Sequence, residues 1–562
     1  MKYFHPALLL FAAIAGTPHA NAAIFTVGYG PDCTHAGIQA AIDAAAANGP
    51  AEDEIRVVAN EYTLQRLIIA NQSLVLTGGW GSCATDAAVV GATGLIGGFE
   101  AGTPGTNAVL RVQAGDSTIH TVTVRRFELR DGSGGADGNG GGIDAFGALR
   151  LVLGDVSITG NHVSGSGGGI FLRGPSTGAF GGILELDPGV NIHANSADLS
   201  GGGIHLERAS ARIRADRTAI SGNRALYGGG VYAKAASITI GRGGGDPDPQ
   251  SGASGHRIAG NRAQVGGGVY LENQSLFDAN ELQLEGNVAS QLGGGLYAIG
   301  ASQVQIQRDY PNAFKVECTG NTCSRIASNQ AGNGCPGNDG FGGGLYLDGN
   351  SRAYVRQTEI VDNCAYGSPA IQSWGPRLDL EGVLVANNRL RWREGANYTG
   401  RAAISYASRT GGPDSVARLA FVTLAGNVEV RDDGTTSPAN AISQLSNFGA
   451  WTFSLNGLVT ADPVPGAVAS FGACNRQNVA LSSFADAAGG DFRPRIGGGL
   501  VDACAVAESS HEYRDPRLVV RCTDHPQQAD QGGSCDIGAY EAVHLAPEDR
   551  LFANGFEATP MP

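Results

Sequence analysis

Four oxygen-bearing side chains lie close together in a glycine-rich stretch and could hold a calcium ion. The stretch reads RDGSGGADGNGGGID. Carboxylate and amide oxygens on such loops are ligands that Ca²⁺ prefers. The spacing does not match the nonapeptide calcium repeat, so an ordinary loop is the alternative. No other pattern calls for a cofactor, and the predicted calcium ligands are Asp131, Asp137, Asn139 and Asp144.

Six ring-bearing residues recur at one position of a repeated phrase. Each comes directly after Gly-Gly-Gly and an Ile, Val or Leu. Consecutive side chains of a strand point to opposite faces, so these rings point away from a core that holds the aliphatic residue. Stacked about 4.8 Å apart, they would form a column. The column either stabilises itself or contacts the apolar faces of sugars. The predicted ligand-binding residues are Phe171, His205, Tyr232, Tyr270, Tyr297 and Tyr346.

A third group of charged residues could cleave an acidic polysaccharide by a lyase reaction. Glu359 and Asp362 follow Arg356 closely. A lyase of this kind needs carboxylates that bind Ca²⁺ and a basic residue that takes the proton. Solvated surface charge is the alternative interpretation. Arginines of the following segments that could join the group are Arg389, Arg391 and Arg393.

The first residues have the form of a secretory signal peptide. Lys2 precedes the apolar run Ala7–Gly16, and Ala20-Asn21-Ala22 fits the small-x-small cleavage rule. We expect residues 1–22 to be removed and the protein to be secreted or held at the outer surface of a Gram-negative-type bacterium. No later stretch approaches the ~20 apolar residues of a membrane-spanning helix.

Ten cysteines in an exported chain predict disulfides. The simplest pairing joins neighbours along the chain, because each pair then closes a short or moderate loop. A zinc site on the four middle cysteines is the alternative, although their spacing is irregular. The predicted pairs are Cys33 with Cys83, Cys318 with Cys323, Cys335 with Cys364, Cys474 with Cys504, and Cys522 with Cys535.

A repeat organises most of the chain. Gly-Gly-Gly followed by Ile, Val or Leu recurs, and a spacing of 27 residues between triplets is common. Longer spacings contain loop-like inserts rich in Gly, Asp and Pro. The triplets begin at Gly140, Gly167, Gly201, Gly228, Gly266, Gly293 and Gly342.

Each repeat carries a second marker, an aliphatic residue followed three places later by Asn. Asn tolerates left-handed backbone geometry, so we expect it to turn a corner. Its amide can also bond to its counterpart one repeat away. The pairs are Ile158/Asn161, Ile192/Asn195, Ile220/Asn223, Ile258/Asn261, Leu284/Asn287, Ile326/Asn329, Ile360/Asn363, Leu384/Asn387 and Leu424/Asn427.

Short segments of period two separate these markers and predict strands. A unit of two or three short strands with Gly and Asn turns is one coil of a solenoid. The predicted fold is therefore all-β, a right-handed parallel β-helix. Ile38–Ala47 is an amphipathic segment that predicts a helical cap at its start. We divide the chain into a signal peptide (1–22), a cap with the first coils (23–117), repeats (118–430), a C-terminal disulfide-containing module (431–545) and a tail (546–562).

The net charge of −14 argues against nucleic acid or an anionic membrane as a partner. The same charge permits a divalent cation, but solubility explains it equally well.

The repeats resemble those of polymorphic outer-membrane proteins and other right-handed β-helix proteins of the pectin-lyase-like superfamily. This resemblance rests on Gly-Asn-x-Ala paired with Gly-Gly-Gly-(Ile/Val/Leu) over residues 120–430. The ending, Cys535-Asp536-Ile537-Gly538-Ala539-Tyr540-Glu541, is similar to bacterial choice-of-anchor Q modules, although Gly498-Gly499-Leu500-Val501-Asp502 departs from their Gly-Ser-Pro-Ala-Ile-Asp phrase. The tail LFANGFE resembles a terminal phrase of exported proteins and could contact export or anchoring machinery.

The resemblance implies the fold and export, but it does not imply a reaction. Glycosidases of this superfamily carry an Asn-x-Asp strand, an Asp-Asp pair, a Gly-His-Gly and an Arg-x-Lys. Here Asp432-Asp433 stands without the others. We therefore expect a non-enzymatic binding or adhesion protein for polysaccharide, cell-surface glycan or another macromolecule. A divergent polysaccharide lyase or glycoside hydrolase and a structural envelope component are the alternatives.

Overall fold

The computed structural model describes most of the chain between residues 21 and 542. The described ranges are 21–98, 108–116, 118–135, 137–176, 181–214, 218–241, 256–307, 324–335, 339–391, 401–407, 415–444, 451–464, 474–505, 515–517, 519, 521–522, 525–528 and 531–542. The predicted signal peptide, apart from its last two residues, and the predicted tail lie outside them.

Parallel strands wind into stacked coils, as the repeat predicts. One sheet, called sheet B here, takes one strand from each of twelve successive coils. Its strands are Leu67–Ala70, Leu110–Ala114, Ile143–Gly147, Ile170–Arg173, Ile204–Glu207, Val231–Lys234, Val269–Glu272, Leu296–Ala298, Leu345–Leu347, Ile371–Ser373, Ala402–Tyr406 and Asn440–Gln444.

A second sheet, sheet A, has 26 strands because most coils contribute two strands to it. The two halves join where the long strands Arg377–Ala386 and Ser415–Ala425 run through both. Its other strands are Ile24–Val27, Asp53–Val58, Glu61–Tyr62, Leu74–Trp80, Thr93–Ile96, His120–Arg125, Phe127–Arg130, Leu149–Gly154, Ser157–Thr159, Gly182–Leu186, Asn191–His193, Ala209–Ile213, Ala219–Ser221, Ser237–Ile240, His256–Ala259, Leu276–Asn280, Leu282–Glu285, Gln303–Gln307, Ser324–Ala327, Arg352–Arg356, Thr358–Val361, Trp451–Asn456, Val459–Thr460 and Arg476–Gln477.

Short strands close the third side of the coils. His162–Val163 pairs with Ser196–Ala197, and a seven-stranded sheet follows in the later coils. Its final pair is antiparallel and turns the chain back at the end of the stack. The seven strands are Arg262–Val265, Val288–Leu292, Gln330–Ala331, Cys364–Ala365, Arg389–Arg391, Val428–Val430 and Thr436–Pro438.

The aliphatic residues of the repeat form one vertical file inside the coils, which confirms the central prediction. Ile158 pairs with Ile192, and the register continues coil by coil with every member at most 2% exposed. One coil cannot bury such a face alone, so stacking supplies the core. The file continues through Ile220, Ile258, Leu284, Ile326, Ile360, Val385 and Leu424.

The asparagines form a continuous buried hydrogen-bond ladder beside this file. Each Nδ2 donates to the Oδ1 of the next coil's Asn at 2.8 to 3.1 Å. The same Oδ1 accepts the backbone N–H of the donor residue, as at Asn195 and Asn223. The last Asn, Asn427, donates to the Oδ2 of Asp462 at 2.6 Å. Burial raises the pKa of Asp462 to about 6, while the bonds from Asn427 oppose that shift.

Two expectations about the asparagines are wrong. The residue before each Asn, and not the Asn, holds the left-handed backbone, with φ of 66° at Gly160 and 57° at Asp362. The Asn is thereby left free to turn its amide inward. The pair Leu384/Asn387 is also misplaced by one residue. Val385 lies in the core file and Asn388 in the ladder, because Asn387 takes the left-handed position.

The first glycine of every triplet has a φ between 63° and 72°, a conformation that a Cβ would strain. The second glycine packs backbone to backbone across coils. A Cβ built on Gly168 would lie 2.5 Å from the carbonyl oxygen of Gly202. The triplets are therefore required by the close stacking of this corner.

A helix, Ile38–Asn48, lies at the start of the stack. Its buried face packs against the first strands of sheets A and B. The structure thus contains the predicted helix, and its role as a cap stays a prediction.

The chain after the last coil folds back onto the outer face of sheet A. It contains the 3₁₀ turns Leu481–Ser483 and Ala487–Gly489 and the hairpin Phe484–Asp486 with Asp491–Pro494. Phe484, Phe492 and Ile537 pack with small residues of the late coils. Parallel pairing persists to Arg476–Gln477, past residue 430.

Four of the five predicted disulfides are formed among the described residues, and the pair Cys318–Cys323 lies outside them. Because Cys335 and Cys364 are bonded to each other, they cannot act as thiolate ligands, which excludes the four-cysteine zinc site. The bridges are Cys33–Cys83, Cys335–Cys364, Cys474–Cys504 and Cys522–Cys535.

Candidate ligand-binding site

The six predicted ring residues form one column on the outer face of sheet B. Strand register places them at equivalent positions of successive coils. Neighbouring ring centroids are 4.7 to 5.3 Å apart, and most planes are nearly parallel. The column of rings that alternation predicts is therefore present. Its role in ligand binding stays a prediction.

The column is largely covered. Five of its rings are 3 to 8% exposed, and only Tyr270 is half-buried. Burial lowers the pKa of His205 to about 3, so this ring is neutral, and its Nδ1 lies 2.9 Å from Ser200 Oγ. Burial raises the pKa of Tyr270 to about 12, with nearby Glu272 adding to the shift. Inside the column, each ring lies between two other rings, so the inner rings have no face open to a ligand.

The column begins at Phe171, and one coil earlier the same outer position is Asp144. One coil earlier still it is Arg111. Rings therefore give way to charged groups at this end, next to the corner that leads from sheet B into sheet A.

A cavity of about 420 Å³ opens at this end of the column. Its wall combines aromatic rings, three arginines and two carboxylates. The half-buried Phe146 and the buried Phe171 supply the apolar surface. The lining residues are Arg111, Ala114, Asp137, Asp144, Phe146, Gly147, Phe171, Arg173, Gly174, Pro175, Ser176 and Arg208.

An arginine guanidinium group packs over each aromatic ring of the cavity. The Arg111 guanidinium lies 4.8 Å from the centroid of Phe146, and that of Arg173 lies 5.0 Å from the centroid of Phe171. Such contacts are cation–π interactions that also hold the arginine side chains in place. Arg208 is fixed at the third edge by a hydrogen bond to Glu207.

Asp144 is the buried carboxylate of the cavity, with 2% of the residue exposed. Burial raises its pKa to about 7, and the negative charge of Asp137 adds to the shift. Arg111, whose Nε lies 3.7 Å from Asp144 Oδ2, and Arg173 oppose it. Asp144 is therefore a carboxyl group that changes charge near neutral pH.

The four predicted calcium ligands are only partly brought together. Asp137 and Asp144 line the same cavity. Asn139 Oδ1 instead accepts the N–H of Ser166, and Asp131 is exposed and ion-paired with Arg130 at 3.6 Å. Within the described ranges, no group of three or more His, Cys, Asp or Glu residues is arranged to hold a metal ion. Calcium binding stays a prediction.

The predicted lyase group does not converge on one groove. Glu359 accepts a hydrogen bond from Tyr540 at 2.6 Å and pairs with Arg325 at 3.1 Å. Arg356 pairs instead with Glu381, and Asp362 lies in an exposed turn. These side chains are thus engaged in separate contacts. Arg391 pairs with Asp432, Arg389 is exposed, and Arg393 lies outside the described residues.

Sequence reasoning found Asp137, Asp144 and Phe171 but missed Arg111, Phe146, Arg173 and Arg208. Arg111 lies in a coil that lacks the glycine triplet, and Phe146 and Arg173 lie two residues beyond the ring position. Residues two apart in a strand point to the same face, so the alternation rule would have placed Phe146 and Arg173 on the outer face with the ring column.

Comparison with known proteins agrees with the repeat. Residues 155–173 match the Chlamydia polymorphic membrane protein repeat, a stretch that includes Phe171 and Arg173 of the cavity. No curated protein and no solved structure is similar enough to the chain to count as a match. Within the described residues, no helix has the length and apolar character to span a membrane. The match covers a short part of the chain and agrees with the repeated coil that the structure shows.

Proposed function

We propose that this chain is an exported, surface-displayed β-helix protein that binds a glycan without cleaving it, and that the ligand enters the cavity at the start of the aromatic column. The observation that carries the proposal is the composition of that cavity. An apolar ring, Phe146, stands beside three arginines in one concave site. Sugars present both apolar C–H faces and polar hydroxyl edges, so one wall of each kind suits them.

The size and rigidity of the site support this proposal. A volume of about 420 Å³ falls within the range of ordinary ligand pockets, ~300–1,000 Å³. Sheet strands carry Arg111, Phe146 and Arg173, so the site is preorganised by paired backbone. The covered column behind it supplies a stable base, which is the role that its stacked rings support best.

Titration of the purified full chain with glycans of defined composition tests the proposal. We expect Phe146→Ala to weaken binding about 5- to 30-fold, because an aromatic contact of this kind contributes ~1–2 kcal/mol. The matched control is Tyr354→Ala. Tyr354 carries the same type of contact, with Arg377 at 5.2 Å, but it lies on sheet A away from the cavity. Equal binding by both variants and the parent would contradict this placement of the site.

Hydrolysis of the bound glycan is a second candidate function, favoured by the two carboxylates of unequal environment. Asp144 is protonated below about pH 7 and could donate its proton to a glycosidic oxygen, while Asp137 accepts a proton from the attacking water. New reducing ends that appear with the parent and disappear with Asp144→Asn would support this function. Unaltered glycan after long incubation would contradict hydrolysis and leave binding as the proposed function.

A further inference from the structure

A second group of arginines lies around the corner from the cavity, on the outer face of sheet A. All three contact one carboxylate, Glu185, which is 1% exposed. The nitrogens of Arg150, Arg214 and Arg212 lie 2.6, 2.9 and 3.6 Å from its oxygens. Their side chains remain 40 to 51% exposed. Three cations on one anion leave a positive excess that faces solvent.

This second group and the cavity are close in the fold. Arg208, which lines the cavity, is the corner residue between the sheet B strand Ile204–Glu207 and the sheet A strand Ala209–Ile213. Arg212 follows it in that sheet A strand. Arg150 lies two coils earlier, in register with Ser210 through Ile183. With coils about 4.8 Å apart and strand residues about 3.3 Å apart, Arg208 and Arg150 are roughly 12 Å apart.

Hydrogen-bonding capacity is left over along this path. The Nε atoms of Arg111, Arg150 and Arg208 are buried and have no hydrogen-bond partner among the described residues. A buried donor without a partner favours a ligand that supplies an acceptor once the side chain turns, and these three side chains are 32 to 40% exposed. All three belong to the cavity or to the neighbouring arginines, so the vacant donors follow one path around the corner.

The charge along this path is opposite to that of the chain. The protein carries a net charge of −14, yet this corner gathers six arginines around four carboxylates, Asp137, Asp144, Glu185 and Glu207. A further carboxylate near Arg150, Asp187, is paired with a seventh arginine, Arg125. Guanidinium groups bind carboxylate and sulfate groups with paired N–H donors. A local positive field on an acidic protein also guides anionic ligands to one place. The six arginines are Arg111, Arg150, Arg173, Arg208, Arg212 and Arg214.

We infer that the ligand is a linear acidic glycan, with one sugar unit in the cavity and the following units laid around the corner onto Arg150, Arg212 and Arg214. This inference rests on the proposed glycan binding at the cavity. It adds the chemical class of the ligand, its extended form and a second set of contacts. The acidic groups are carboxylates or sulfates, which the arginines recognise by the same chemistry.

Calorimetric titration of the full chain with three probes tests the inference: galacturonate oligomers, dextran sulfate oligomers and neutral dextran oligomers of matched length. We expect at least one acidic probe to bind, with an affinity that falls as salt is raised. We expect the neutral probe to bind at least about tenfold more weakly than that acidic probe. Preference for the carboxylated or the sulfated probe identifies the acidic group. Arg212→Gln is the main variant, because its contact with Glu185 is the longest of the three. We expect it to weaken a long oligomer about tenfold and the monosaccharide not at all.

Two controls keep the outcomes separate. Arg352→Gln removes an exposed arginine from the same face of sheet A in a distant coil and should leave binding unchanged. The melting temperature of Arg212→Gln should equal that of the parent, and Arg214→Gln serves as a second variant. Equal binding of neutral and acidic probes would overturn the acidic class and leave glycan binding in place. Loss of monosaccharide binding in Arg212→Gln would overturn the two-part path, and no binding of any probe would overturn the proposed function as well.

Discussion

Two regions on the outside of sheet A share one interior and differ in what covers them. In the early coils, the outward position beside the core file is polar, with Thr159, His193 and Ser221 in register. In the later coils, the same column continues as small apolar residues, which are buried by the C-terminal module, meaning the described residues from 481 to 542 that fold back onto sheet A. The apolar members are Ala327, Val361, Ala386 and Ala425. The comparison shows that the core residues determine the coil, while the alternate residues determine what the coil contacts.

The largest expected effect separates these two regions directly. Val361→Asp places a charge in the apolar contact with the module, where Val361 is 5% exposed, and we expect a loss of about 3–5 kcal/mol or release of the module. Thr159→Asp is the matched control at the half-buried polar end of the same column, with an expected change within about 0.5 kcal/mol. Limited proteolysis and hydrogen exchange of the module measure the difference. Equal protection of the module in both variants would contradict the proposed difference between the early and late regions of sheet A.

The next effect concerns what the two regions have in common. Asn261→Leu and Asn388→Leu each remove ladder hydrogen bonds and leave buried amide and carbonyl groups unpaired. We expect each to cost about 2–4 kcal/mol, in the early and late coils alike. Thermal unfolding followed by circular dichroism measures this loss, with the exposed Asn191→Ala as control. A large loss in only one of the two regions would mean that the ladder does not act as one unit.

A pH effect on ligand binding is expected in the early region, where the cavity lies. Below about pH 7, Asp144 becomes neutral and the cavity becomes more positive, since Arg111, Arg173 and Asp137 are the charged groups facing it. We therefore expect an acidic glycan to bind up to about tenfold more tightly at pH 6 than at pH 8. Asp144→Asn should bind equally at both values. Because the folded-state pKa is raised, the neutral carboxyl favours folding at low pH, and this contribution is lost as pH rises through about 7.

The smallest effect concerns a single contact between module and coil. Tyr540→Phe removes the hydrogen bond to Glu359, and we expect a loss of about 1–2 kcal/mol because the acceptor is a carboxylate. Glycan binding at the cavity should not change. Faster exchange of module amides with unchanged binding is the expected result. Altered binding would show that the two regions are coupled.

The sequence predicts the parts of the fold that repeat. Ile158 and its successors recur at a spacing that only stacked coils bury, and the neighbouring Asn series predicts the ladder. Single-residue detail was harder, because VANN offers two asparagines and the backbone geometry selects Asn388 for the ladder. The covering of Glu359 by Tyr540 joins residues far apart in sequence, so no local pattern announces it.

The candidate site was predicted only in part, for a related reason. Asp144 and Phe171 stand close to the repeat markers, whereas Arg208 reaches the cavity from a corner with a φ of 50°. An arginine at such a corner carries no periodic signal. Its position follows from the way one coil overlies another, which becomes visible only when the register is known.

The Asp462 carboxylate gives the asparagine ladder a direction and an end. Every amide before it accepts from one side and donates to the other, so an additional coil could be inserted anywhere among them without breaking the relay. A carboxylate has no N–H group, so an asparagine in a coil added after Asp462 would receive no hydrogen bond at its Oδ1 from residue 462. The amide ladder therefore ends at Asp462, while the backbone of one further strand, Arg476–Gln477, still pairs with the stack.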